Sequence, residues 1–209
     1  YGAMLYGTAW DDAWNLDAYV GVARHEYEMA RVPGQDWRND IDAAPGAVQS
    51  LAGVRAGYSF EPISGLRIGP TVGLAYSSLE LDGYREFGAE DFALEVAGRT
   101  VDSLTAETAL QFNYMPVNEA GRAPFAAYGR VGYVTELGDD VDFVSAHFIG
   151  APDVGFGVSQ MLDREWIAAS AGFSYKMNEN FQAFLEASSD TGRGELSNTA
   201  VQAGFTFDF

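Results

Sequence analysis

His25 and His147 are the only histidines in a chain that carries 30 Asp and Glu against 12 Lys and Arg. Either imidazole set beside Asp139 or Asp140 would suggest general-base hydrolysis, because histidine titrates near neutral pH and a carboxylate can orient it. No second motif supports that reading. A run of carboxylates at Asp36, Asp40, Asp42, Asp82, Glu86, Glu90, Asp91, Asp139, Asp140, Asp142, Asp153 and Asp163 suggests divalent-cation binding. Their spacing does not resemble an EF-hand loop, and a solvated acidic surface is the better reading. No catalytic residue, metal ligand or cofactor is expected. The formal net charge of −18 argues against a nucleic-acid partner, since a phosphate backbone calls for Lys and Arg.

A third set of polar residues is more informative, because its members stand singly inside apolar runs. Arg55, Arg67, Glu107, Gln111, Tyr128, Arg130, Glu136, Lys176, Glu186, Gln202 and Asp208 each interrupt a stretch of strict two-residue alternation. Leu104, Ala106, Thr108, Leu110, Phe112 and Tyr114 oppose Ser103, Thr105, Glu107, Ala109, Gln111 and Asn113. Ile167, Ala169, Ala171, Phe173 and Tyr175 likewise oppose Ala168, Ser170, Gly172, Ser174 and Lys176. Period two puts each set on one face of a strand. One face is apolar and the other is small and polar, the pattern of a strand between lipid and a watery lumen. A charge facing lipid near the midplane costs about 2–4 kcal/mol, so the singly placed charges are expected to face inward.

The elements that carry these residues are about nine strands, counted by periodicity. They lie near 3–9, 14–29, 48–60, 65–80, 102–115, 124–137, 164–176, 180–189 and 197–209. Pro70 inside one of them removes a ladder donor and predicts a bulge. Connections alternate in length. Short turns are expected at Trp10–Trp14, Glu61–Gly65, Pro116–Ala123 and Met177–Glu179, and long loops at 30–47, 81–101, 138–163 and 190–196. Short periplasmic turns and long outer loops are the asymmetry of an outer-membrane barrel. Tyr58, Phe60, Phe112, Tyr114, Phe125, Phe173, Tyr175, Phe207 and Phe209 then fall beside the short turns as a girdle, while Trp10, Trp14, Trp37 and Trp166 belong at interfaces or in loops. No apolar run reaches the roughly 18 residues of a membrane helix, so a spanning chain would have to form a barrel.

The final ten residues alternate without a fault and end on Phe205, Phe207 and Phe209. They resemble the C-terminal signal of bacterial outer-membrane barrels. The run Leu81-Asp82-Gly83-Tyr84, then Glu86 and Gly88, followed by a strand opening Asp102-Ser103-Leu104, is similar to a recurrent segment of autotransporter β-domains. Pro124 to Tyr128 resembles the strand that follows it in that family. The long loop from Asp139 to Asp163, with Asp-Arg-Glu-Trp at 163–166, looks most like the barrels of GDSL-type esterase autotransporters.

The resemblance implies an all-β, transmembrane, antiparallel up-and-down β-barrel, twelve-stranded in the family, with a helix through its lumen. It implies a translocator and anchor in the outer membrane of a Gram-negative bacterium, supporting export and surface display of an upstream passenger domain. Its expected partners are outer-membrane lipid and lipopolysaccharide, the barrel-assembly machinery, and the chain's own passenger and lumen helix. Residues 1–209 would be one such domain, lacking the helix and first strands. No Gly-Asp-Ser-Leu block occurs, so the domain itself is not expected to be an enzyme. Three rival readings are a passive channel or porin, an omptin-like rim protease using His25 or His147, and a soluble ligand-binding barrel with its apolar face inward.

Overall fold

The computed structural model describes residues 1–31, 41–88, 92–119, 121–138, 141–161, 163–178, 180–193 and 196–207. Nine long strands form an antiparallel meander: β1 (Gly2–Trp10), β2 (Trp14–Glu26), β5 (Gly46–Tyr58), β7 (Leu66–Leu81), β10 (Arg99–Tyr114), β11 (Phe125–Glu136), β14 (Glu165–Lys176), β15 (Phe181–Arg193) and β16 (Leu196–Phe207). Between them stand β3 (Met29–Arg31), β4 (Ile41–Ala43), β6 (Phe60–Ile63), β8 (Tyr84–Arg85), β9 (Leu94–Val96), β12 (Val141–Phe148) and β13 (Ala151–Met161). Each long strand pairs with its sequence neighbours in the meander, giving a half-barrel. The long strands hold 9 to 16 residues, against the roughly 9–11 that span a bilayer.

Alternation assigns the faces as expected. Val72, Leu74, Leu110, Val131, Ile167, Phe173 and Val201 stand on the outer face and are exposed, which in lipid is the low-energy placement for apolar side chains. On the opposite face, small residues receive aromatic neighbours from the adjacent strand. A Cβ at Gly53 would stand 2.5 Å from the Tyr19 ring, at Gly172 2.6 Å from Tyr128, and at Gly204 2.7 Å from Phe184. Gly69 is required by the approach of the Tyr58 carbonyl. The irregularity predicted from Pro70 falls on the partner side: β7 pairs with β5 as far as Thr71, then with β6 through a register shift between Phe60 and Ile63.

Three of the four expected long loops contain strands among their described residues. β3 and β4 keep the register of β2 and β5, and β8 and β9 keep that of β7 and β10. The hairpins therefore continue past the meander, the second one interrupted where Gly83 faces Gly98. A Cβ on either glycine would lie 2.9 Å from the other's backbone nitrogen. β9 pairs with β12, and Asp42 bridges Phe87, so the three extensions stand side by side. Ile41, Ala43, Ala47, Ala93, Val96 and Ala146 are buried there. The fourth expected loop, 190–196, is corrected outright: β15 runs to Arg193 and β16 starts at Leu196, with a bulge after Asp190 and Gly192 at φ 91°. A glycine takes this positive φ at the bulge without the strain a side chain would bring.

Candidate functional site on the concave face

The polar face gathers its charges near the middle of β5, β10 and β11. Glu107 is held by two guanidiniums, Arg130 at 3.1 Å and Arg55 at 3.6 Å. Its side chain is 13% exposed while Arg55 keeps 42% and Arg130 26%, so the carboxylate is enclosed and the cations reach toward the open side. Gly73 lies opposite both Arg55 and Glu107 in the ladder, and a Cβ at Gly132 would stand 2.6 Å from a Glu107 oxygen. Two glycines thus make room for the cluster.

Around it, Tyr128 donates to Glu186 at 3.1 Å. Gln111 donates to Asn15 at 3.5 Å and to Ser59 at 3.4 Å. Arg67 stands 3.9 Å from Glu61. Arg55, Arg67, Gln111, Tyr128, Arg130 and Glu186 line one cavity of about 520 Å³ with Ser59, Asn113 and Ser170. A buried Glu107 oxygen and the Arg55 Nε make no hydrogen bond among the described residues. Such atoms are costly unless something else satisfies them. Chemically the face can receive a polar segment through charge-assisted hydrogen bonds. Asp17, Asn15 and Ser59 belong to this face but were not singled out by sequence, although Asn15, Asp17 and Tyr19 follow the same period-two signal.

The remaining expected residues separate into other roles. Gln202 faces Glu186 in the β15–β16 ladder, and Lys176 faces Gln182. Glu136 does not join the central cluster. It is 7% exposed and accepts from Ser103 Oγ at 2.6 Å, Leu104 N–H at 2.8 Å and Gly138 N–H at 2.9 Å, capping the point where β10 parts from β11. Two residues of the recurrent segment, Ser103 and Leu104, are thereby explained, and Asp102 accepts from Tyr76 at 2.9 Å. Phe205 and Phe207 point outward on β16, with Phe205 stacked on Phe181 at 5.7 Å. Asp208 and Phe209 lie outside the described residues, as do Asp36, Trp37, Asp40, Glu90, Asp91, Asp139 and Asp140.

The earlier part of that segment builds a clasp above the meander. Leu81 ends β7, Asp82 N–H bonds the Gly46 carbonyl at 3.0 Å, Tyr84 pairs with Val96, and Gly88 takes φ 129°. Glu86 receives Arg31 through two bonds of 2.9 and 2.6 Å and the Leu94 N–H at 2.7 Å. Arg31 also donates to the Phe92 carbonyl at 2.7 Å. Burial pushes the Glu86 carboxyl up, but the Arg31 and Leu94 hydrogen bonds and the Arg31 charge outweigh it, leaving it below its ordinary value. A depressed carboxyl stabilises the fold above its unfolded pKa and loses that contribution as pH falls through the folded one. Protease cutting within β3 and β4 should therefore be slow at neutral pH and rise below the ordinary carboxylate range. Arg31→Ala should raise it at neutral pH already, and limited proteolysis across pH reads both effects.

Among the described residues neither histidine is bonded to a nucleophile, and Asp139 and Asp140, the carboxylates expected beside them, lie outside those residues. His25 Nε2 meets the Gln49 amide oxygen at 3.1 Å, and His147 stands 3.8 Å from Glu95 in the outer sheet. Among the described residues no three metal-ligating side chains converge.

The autotransporter β-domain family model matches residues 1–188. Among solved structures, the translocator domain of autotransporter NalP from Neisseria meningitidis aligns over 100% of this chain and 67% of that one. The TM-score is 0.74 at 14% identity, a likeness of fold. The ferric yersiniabactin uptake receptor FyuA from Yersinia pestis aligns over 100% of this chain and 33% of its own, at 10% identity and a TM-score of 0.45. No curated protein matches the chain.

Proposed function

The chain belongs to the autotransporter β-domain family, and from that premise we propose that residues 1–209 act as an outer-membrane translocator and anchor for an upstream passenger. The observation that carries this reading is the division of the sheet into two faces. The exposed outer face is apolar and suits lipid, while the concave face holds the Arg55–Glu107–Arg130 cluster with polar atoms left to satisfy. A lumen helix, and an extended passenger segment in transit, would supply the missing partners for those atoms.

Strand pairing satisfies the backbone where hydrocarbon cannot, and the outward apolar rows drive insertion. The domain acts by position and surface, with no chemistry of its own. It sits in the outer membrane of a Gram-negative cell, with lipopolysaccharide around its outer half and the barrel-assembly machinery as its insertion partner. The aromatics at alternate positions of the C-terminal sequence, Phe205, Phe207 and Phe209, are the feature that machinery would engage. Phe209→Ser should lower the amount of assembled, heat-modifiable protein several-fold while leaving the inserted fraction correctly folded. Unchanged heat-modifiable protein in that variant would remove the terminal residue from the account.

A further inference from the structure

Most cations among the described residues have an oxygen partner. Arg24 stands near Glu26, Arg31 binds Glu86, Arg55 and Arg130 share Glu107, Arg67 stands near Glu61, and Arg164 donates to the Glu136 and Gly138 carbonyls. The Arg122 guanidinium and the Lys176 ammonium have none among those residues, and both line one cavity of about 630 Å³ at the short-turn end. Asn118, Asn178, Pro124, Tyr175 and Met177 complete its walls, and no carboxylate among the described residues lines it.

The two walls are built without spending the cations. In the turn after β10, Asn118 N–H bonds the Arg122 carbonyl at 2.8 Å, and the Arg122 N–H returns to Asn118 Oδ1 at 2.9 Å, with Gly121 at φ 73°. Opposite, the Lys176 N–H bonds the Pro124 carbonyl at 2.7 Å and the Met177 N–H bonds the Phe181 carbonyl at 2.9 Å. The backbone is satisfied on both sides. A guanidinium fork and an ammonium remain without an oxygen partner among the described residues, in a chain whose net charge is −18. That set suits the oxygens of a phosphodiester, which takes a planar fork on one side and a point charge on the other.

Location identifies the source of the phosphate. Tyr175 and Met177 are 48% and 62% exposed beside the cavity, and Phe125 stacks on Phe173 at 6.4 Å in the outward aromatic band above it. Aromatic bands mark the headgroup level of a bilayer. We propose that this cavity binds the headgroup phosphate of an anionic phospholipid in the periplasmic leaflet, with Tyr175 and Met177 against its glycerol and upper acyl chain. The inference rests on the membrane orientation proposed above. It adds a lipid contact at the end of the barrel away from the outer clasp, holding the β10–β11 and β14–β15 turns together across one headgroup.

The test is native mass spectrometry of the full chain released from micelles doped with phosphatidylglycerol or phosphatidylethanolamine. Heat-modifiable migration is checked first; failure there would sink the membrane reading itself rather than this site. The wild type should retain phosphatidylglycerol in preference to phosphatidylethanolamine. Retention should fall about fivefold in Arg122→Gln and again in the Arg122→Gln/Lys176→Gln pair. Arg85→Gln, a cation at the outer end, should change nothing. Retention of phosphatidylglycerol by the double variant at wild-type level would overturn the proposal. So would competition by millimolar inorganic phosphate that abolishes the lipid preference, because free phosphate would then suffice.

Discussion

Replacing Val131 by arginine should all but eliminate assembled barrel, the largest single-residue effect expected in this chain. Val131 sits near the middle of β11, 52% exposed on the outer face, between Leu110 of β10 and Ala169 of β14. A guanidinium there would have to remain in hydrocarbon or drag water with it, at a cost of about 2–4 kcal/mol near the midplane. Since about 1.4 kcal/mol is tenfold in an equilibrium, the heat-modifiable fraction in outer membranes should fall by more than an order of magnitude. Ser188→Arg supplies the contrast. Ser188 belongs to the concave face, two residues from Glu186 and two from Asp190, so an arginine there gains acidic neighbours and should be tolerated. Equal losses in the two variants would show that the faces do not divide lipid from lumen.

The second large effect is expected from Glu107→Ala. Removing the carboxylate leaves Arg55 and Arg130 facing each other on the concave side with like charge and no acceptor between them. Breaking a fully buried pair costs about 3–5 kcal/mol. Both arginines retain contact with water, so about 1–3 kcal/mol is the expected loss here, the hydration of each cation offsetting the remainder. Denaturant midpoints of the detergent-folded protein measure it. Adding Arg130→Met should recover much of the loss, since the repulsion disappears with the second cation. A Glu107→Ala variant as stable as the wild type, with no coupling to Arg130, would reduce the cluster to surface charge.

Sequence alternation located the nine long strands because each carries four or more repeats of one period, and lipid enforces the pattern on every turn of the ladder. The same signal placed Arg55, Glu107, Gln111 and Arg130 on one face, and the structure brings them to one place. It could not give Glu136 its role. Glu136 follows the inward parity, yet its bonds to Ser103 and Leu104 depend on where β10 and β11 separate, which is a property of the pair. The outer strands were missed for a related reason. Two or three residues, as in β8 and β9, hold too little periodicity to be seen, and their pairing follows from the hairpins beneath them. Glu86 shows what that conceals. Read in sequence it is one of many acidic loop residues, whereas its partner Arg31 comes from a different hairpin 55 positions away.

The central claim is that this half-barrel serves the display of an upstream domain, and protease accessibility on intact cells tests it most directly. One epitope is fused upstream of residue 1 in the full protein, and another replaces part of the short turn at 118–121. The account predicts that the upstream epitope is cut on intact cells, while the turn epitope is cut only after the outer membrane is permeabilised. An upstream epitope that stays protected on intact cells, in protein that is heat-modifiable and inserted, would contradict the translocator reading and leave a passive channel in its place.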